Sequence, residues 1–313
     1  MAGEKAEGAG HGAGHIIQSL VANLLIALSK GVAAAFTGSG ALLAETLHSL
    51  ADCGNQLLLL LGVNRARQPP TPAHPLGFGR VLYFWSFMVA LLLFTGGGVF
   101  SLYEGIHKFR HPEPVGTLWL GMVILAVSLL IEGWATLGNI RDMNRRRGAR
   151  PFLRYIRETK DSDLVVIFGE NSAAVVGLVF AMLALVAASV TGDGRWDAAG
   201  SMAIGAVLVV VAVFLAVEVK SLLVGESADP EVELIARELV AADPRLVEMI
   251  NCITIQQGPG EVLVALKIRF QSELTADGVS RAIDEFERRL RERAPCVRWS
   301  FVEPDLKVQA RAA

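Results

Sequence analysis

The chain has 313 residues, of which 52% are hydrophobic and 19% charged, with a net charge of -2. A mean hydropathy of +0.45 exceeds what a water-soluble globule needs and fits a chain solvated by lipid. The near-neutral charge excludes a strongly basic nucleic-acid footprint. Cys53, Cys252 and Cys296 are too few and too scattered for a disulfide framework or a four-thiolate zinc site.

Residues 1–14, rich in Gly and Ala around Lys5 and His11, read as a flexible arm. No small-residue cleavage site clearly follows the next apolar run, so that run is read as a retained helix. Crossing a hydrocarbon core of ~30 Å takes about 20 mainly apolar residues. Six stretches reach that length: 15–36, 40–64, 81–106, 117–140, 164–190 and 197–224. The breaks between them are plausible turns: Thr37-Gly38-Ser39-Gly40, the proline-rich 68–75, His111-Pro112-Glu113-Pro114, a basic connection over 141–160, and Thr191-Gly192-Asp193-Gly194. The expected unit is a six-helix transmembrane domain over 15–225.

Charge placement gives its orientation. One face carries Arg65, Arg67 and Arg80, together with Arg141, Arg145, Arg146, Arg147, Arg150, Arg154, Arg157 and Lys160. The other has only Lys108, Arg110 and Arg195. By the positive-inside bias, both termini face the cytoplasm, and a cell (inner) membrane is the expected location.

After Gly225 the composition becomes that of a soluble domain, expected over 226–305. An amphipathic helix over 229–242 has Pro230 in its first turn. Strand-like runs over 248–255 and 261–270 flank Gly258-Pro259-Gly260, the second alternating Val262, Val264 and Leu266. Thr275 opens a helix through Arg293, with Asp277 in its first turn and a basic last turn, and 297–302 reads as a third strand. The order αββαβ predicts a small sheet covered by helices on one face. Residues 306–313 read as a flexible tail.

Ionisable side chains within a membrane span are costly and mark functional positions. In the second span Glu45, His48 and Asp52 lie at i, i+3 and i+7, one helical stripe, and His48 and Asp52 stand one turn apart. The fifth span supplies Glu170 and Asn171. An imidazole and two carboxylates from His48, Asp52 and Glu170, completed by water or Asn171, suit zinc or a similar first-row divalent ion. A buried hydrogen-bonded His48–Asp52 pair that merely holds the bundle is equally compatible with the spacing. Glu45 reads either as a proton relay or as a structural partner of Lys30, the one basic residue inside the first span. Glu104 and Glu132 read as interface or span-end residues, and Gly96, Gly97 and Gly98 as sites of close helix approach or of kinking.

The stretch from Ser39 to Asp52, Ser-Gly-Ala-Leu-Leu-Ala-Glu-Thr-Leu-His-Ser-Leu-Ala-Asp, resembles the second helix of the cation diffusion facilitator (cation efflux) family. The resemblance extends over the six spans, the connection His74-Pro75-Leu76-Gly77-Phe78-Gly79 and the cytoplasmic tail. The fifth helix departs from the common family pattern, a His or Asp followed four residues later by Asp; residues 168–177 are instead similar to the zinc-transporter-nine-like branch, which has an acidic residue at the place of Glu170. The resemblance implies a homodimeric antiporter, not an enzyme, that exports zinc from the cytoplasm in exchange for protons by alternating access. It places His48 and Asp52 on the second-helix ligand positions, and Asn171 or Glu170 where the usual fifth-helix Asp stands. Mn2+, Fe2+, Co2+ or Ni2+ are alternative ions. A membrane-anchored metal-binding or scaffold protein of the same fold, without transport, is the competing reading. The 6 histidines all lie at or before His111, so no histidine-rich metal site is expected in the tail. The remaining expected partners are membrane lipid and protons.

Overall fold

A computed structural model describes residues 4–112, 118–159 and 162–305. Glu113 and Pro114 of one expected turn, Lys160 of another and the 306–313 tail lie outside these residues. Two compact units divide the chain: Met1–Asn64, Phe84–Ile156 and Ser162–Val219 in the first, and Arg65–Tyr83, Arg157–Asp161 and Lys220–Ala313 in the second.

The first unit is helical. Its helices, of which α2, α3, α6 and α8 extend a few residues past its bounds, are α1 (Glu4–Thr37), α2 (Gly40–Ala66), α3 (Val81–Leu92), a π-helical segment Leu93–Val99, α4 (Phe100–Arg110), α5 (Leu118–Arg146), α6 (Phe152–Glu158), α7 (Ser162–Thr191) and α8 (Arg195–Val224). α1 begins at Glu4, so the Gly- and Ala-rich lead-in joins the same helix as the apolar run that follows. Gly38, at φ 69°, ends α1 by donating its amide to Ala34 O at 2.8 Å, a left-handed stop that glycine adopts without strain.

Among the described residues four helices are long and apolar enough to cross a membrane: Val81–Arg110, Trp119–Arg146, Leu164–Thr191 and Arg195–Val224. The difference from the six expected spans lies in the first two helices. Among the described residues the apolar stretch of α1 is Asn23–Thr37, and in the sequence Ile16, Ile17 and Leu20 precede it. α2 carries Glu45, His48, Asp52, Asn55 and Gln56, which dilute its hydropathy. Large apolar side chains such as Phe36, Leu130, Trp134 and Val210 point outward, as lipid contact requires and water would penalise. The chain is an integral membrane protein.

Small residues let these helices approach. α3, the π-helical segment and α4 form one continuous helix against α8. A Cβ on Gly98 would stand 3.1 Å from Val209 N, and one on Gly105 would stand 2.8 Å from Met202 N. One on Gly205 would meet Leu102 N at 2.8 Å and Gly98 O at 2.9 Å. The two backbones are therefore in direct contact. Of the two readings of the glycine run, this geometry carries the close approach, and the widened π turn through Gly96–Gly98 adds a local irregularity.

At the start of α8 the buried Asp197 caps the N-terminus of a different helix. It accepts hydrogen bonds from Ser39 Oγ, from Gly40 N at 2.5 Å and from Ala41 N at 3.4 Å, satisfying amide groups that the first turn of α2 leaves open. Lys108 ties the same loop to α4 by donating to Gly38 O at 2.5 Å.

The second unit contains α9 (Pro230–Ala242), β1 (Leu246–Gly258), β2 (Glu261–Phe270), α10 (Ala276–Arg293) and β3 (Val297–Pro304). Its sheet runs β1-β2-β3, antiparallel in the first pair and parallel in the second. Asp229 caps α9 by accepting from Glu231 N, and Thr275 caps α10 by accepting from Gly278 N. Val262, Val264, Leu266, Ile268 and Phe270 alternate inward along β2, and with Ala236, Leu239, Phe286 and Leu290 of the two helices they form the core.

Asp243, which follows α9, accepts from Arg245 Nε at 3.0 Å and from Nη2 at 2.7 Å. These bonds hold its carboxyl below the usual carboxylate range. A depressed value contributes stability above the unfolded value of ~3.9, lost as pH falls through the folded one. Asp243→Asn is expected to destabilise this unit by about 1 kcal/mol at pH 7, read as faster hydrogen exchange in β1. The gap between variant and wild type is expected to shrink as the medium is made more acidic than the ordinary carboxylate range.

Candidate functional site

The polar stripe of α2 faces the interior of the first unit. Glu45 and His48 are 0% and 1% exposed, and Asn55, one further turn along, is 0%. The Asp52 side chain is 15% exposed. A helix places residues 45, 48, 52 and 55 on one face, and so much polarity there must be answered by partners or by a ligand.

The answer differs along the stripe. At its first position Lys30 of α1, itself buried, donates to Glu45 Oε2 at 3.1 Å and to Ser49 Oγ at 2.9 Å. The other oxygen of Glu45 has no hydrogen-bond partner and lies against Gly177 of α7, where a Cβ would stand 2.4 Å from it. Of the two expectations for Glu45, the Lys30 pairing is thus present in the geometry.

At the second position His48 Nε2 stands 3.6 Å from Asp52 Oδ2, beyond hydrogen-bond reach. Both imidazole nitrogens and Asp52 Oδ1 are buried without a partner. The two residues are therefore neighbours, but no hydrogen bond joins them. Unsatisfied polar atoms at such depth are costly, about 1–3 kcal/mol for each lost partner, and three of them border one another here.

At the third position Asn55 Nδ2 donates to Glu170 Oε1 of α7 at 2.5 Å. The carbonyl oxygen of Asn55 has no partner. Glu170 is 8% exposed and within electrostatic reach of Asp52. Asn171, the next residue, has its backbone carbonyl turned to α5, where it accepts from Thr136 Oγ1 at 3.3 Å. Consecutive helical residues point about 100° apart, so Glu170 and Asn171 do not share one direction.

The structure thus brings His48 beside Asp52, and Glu170 onto the same stripe through Asn55. Among the described residues no three His, Cys, Asp or Glu side chains are close enough to enclose an ion as they stand. Asn55 is absent from the residues singled out in the sequence. Its signal was available: it continues the 45, 48, 52 spacing by one more step. Glu132 of α5 is half-buried and within electrostatic reach of Lys30, His48 and Asp52, whereas Glu104 pairs with Lys108 at 3.8 Å. In the second unit the His74 ring packs on Phe78, 4.5 Å between centroids.

Chemically, apart from Glu45, which Lys30 holds, the stripe offers an imidazole, two carboxylates and an amide oxygen, a mixed N/O donor set matched to borderline divalent metals.

Comparison with known proteins gives a consistent picture. The model of the cation efflux transmembrane domain matches residues 16–224. Over 265 residues, 84% of this chain, it is 34% identical to the mouse (Mus musculus) protein named proton-coupled zinc antiporter SLC30A9, mitochondrial. The human protein of that name is 32% identical over 284 residues, 88% of this chain. Metal tolerance protein C4 of Arabidopsis thaliana is 28% identical over 262 residues, 82% of the chain and 57% of that protein. The chain spans 46% and 49% of the mouse and human antiporters, about half their length.

Proposed function

Because the chain belongs to the cation efflux family, we propose that it carries a divalent transition-metal ion, zinc first, across a membrane in exchange for protons. The observation that carries this reading is the buried imidazole of His48, with both ring nitrogens free beside the free Asp52 Oδ1. A group of that kind inside a helical membrane unit is stable when something occupies it, and a cation or protons are the occupants its chemistry accepts.

In this proposal α1 and α2 also cross the bilayer, giving six spans with both termini on the cytoplasmic side of a cell membrane. The tail is the αββαβ domain that joins two copies into a homodimer. His48, Asp52 and Glu170 bind the ion, and Asn55, Asn171 or water supplies the remaining oxygen. Closing these side chains on one ion requires the Glu170–Asn55 bond to yield and the His48–Asp52 gap to be bridged. Alternating access then exposes the loaded site to one side and the protonated site to the other.

The exchange follows from the donor set. Zinc needs neutral imidazole and ionised carboxylates, so loading releases protons and protonation expels the ion. The pH effect has a definite sign: zinc binding is expected to weaken progressively as the medium is made more acidic, because protons and the ion compete for the same nitrogen and oxygen atoms.

The test is flux. Purified protein in liposomes is expected to move zinc inward against outward proton flow, detected together by a zinc-sensitive and a pH-sensitive dye. Zinc movement without any proton counterflow would contradict the exchange. No zinc movement at all would favour the non-transporting scaffold.

A further inference from the structure

The Lys30–Glu45 pair has no part in the exchange just described, yet it is an ion pair buried to 0% exposure on both sides. An ammonium group at that depth is costly in a membrane helix and is retained only with partners. Lys30 holds two of them, Glu45 Oε2 at 3.1 Å and Ser49 Oγ at 2.9 Å. Both flank His48 on α2, Ser49 by one residue and Glu45 by three.

The consequence concerns Glu45. It shares the stripe with His48 and Asp52, its second oxygen already lacks a hydrogen-bond partner, and Gly177 leaves it room on the α7 side. Without Lys30 it would be an unpaired carboxylate one helical turn from the imidazole. The charged groups around Lys30 are Glu45, His48 and Asp52 from α2 and Glu132 from α5; Glu170 stands further along the stripe beside Asn55.

We propose that Lys30 is a specificity-determining positioning residue: its ammonium occupies Glu45 and so keeps a third carboxylate away from the ion. This rests on the metal-binding reading above. With Glu45 withheld, the donors are one imidazole and two carboxylates, a set that suits zinc. With Glu45 released, the site becomes richer in hard oxygen donors and carries one more negative charge, which favours manganese over zinc relative to the original set.

Calorimetric titration of the detergent-purified full chain with Zn2+ and with Mn2+ tests this. Lys30→Gln is expected to shift the ratio of the two dissociation constants toward manganese by about tenfold or more. Lys30→Arg, which keeps a cation, and the double variant Lys30→Gln/Glu45→Gln, which has no carboxylate to release, are expected to return to the wild-type ratio. Ser49→Ala, which changes no charge and serves should Lys30→Gln fail to fold, is expected to shift the ratio in the same direction by a smaller factor. A Lys30→Gln ratio equal to wild type overturns the proposal. So does a double variant that keeps the shifted ratio, or a Ser49→Ala ratio that does not move. Wild-type protein that binds neither ion overturns the metal-binding reading and this inference with it, whereas zinc binding by wild type with an unmoved Lys30→Gln ratio overturns this inference alone.

Discussion

His48→Ala is expected to lower zinc–proton exchange by more than about a hundredfold, because even residues that only orient metal ligands are worth 10–100-fold in affinity or activity. The physical reason is that His48 is the sole nitrogen ligand in the proposed set. Asp52 and Glu170 alone leave an oxygen site with little preference for zinc over abundant hard cations. The variant removes the imidazole whose two nitrogens lack partners in the structure, so it breaks no hydrogen bond and the fold is expected to persist. Its melting temperature in detergent is accordingly expected to stay near that of wild type. Asp52→Ala is expected to behave in the same way. Glu170→Ala also loses the bond to Asn55, so its loss of flux is expected to come with a measurable loss of stability. Unchanged flux in His48→Ala liposomes would remove this residue from the transport path.

Gly205→Leu is expected to prevent assembly of the helical unit. A Cβ at this position would meet Leu102 N at 2.8 Å and Gly98 O at 2.9 Å. Those are backbone atoms of a packed helix and cannot rotate aside as a side-chain tip would. Overpacking a well-packed interior costs about 1–3 kcal/mol when side chains can adjust, and a backbone clash is expected to exceed that range. In lipid there is no hydrophobic force to compensate, since helix association depends on close packing itself. Size-exclusion chromatography of the solubilised variant is expected to show aggregate and little monodisperse protein. Gly133→Leu is the control: a Cβ at Gly133 has open space around it, so the same change there is expected to be tolerated. Equal yields from the two variants would contradict the packing argument.

Signals that act within one element leave their mark in the sequence. Alternation of Val262, Val264 and Leu266 located β2, whose buried face carries the same residues on to Phe270. Asp229 with Pro230 and Thr275 marked helix starts at α9 and α10, because a capping side chain satisfies amides of its own first turn. The stripe of Glu45, His48 and Asp52 was legible for the same reason: helical periodicity is a property of neighbouring residues.

What was not legible depends on contacts between distant residues. In the sequence Asp197 is only the first residue of a span, yet it caps the N-terminus of α2, more than a hundred residues earlier in the chain. Asn55 continues the α2 stripe, yet its role emerges only when α7 delivers Glu170 to it. Spacing left Glu45 open between two partners, and the choice required the position of Lys30 on a separate helix. Hydropathy likewise sets α2 apart from the other long helices, because the polar residues that give it its chemistry also make it a weaker apolar segment.

The most direct test of the central claim is anomalous scattering at the zinc absorption edge from crystals of the full chain grown with zinc. An anomalous peak is expected within about 2.0–2.2 Å of a His48 ring nitrogen and of carboxylate oxygens from Asp52 and Glu170. Zinc bound only outside this stripe, with His48 and Asp52 still lacking partners, would contradict it.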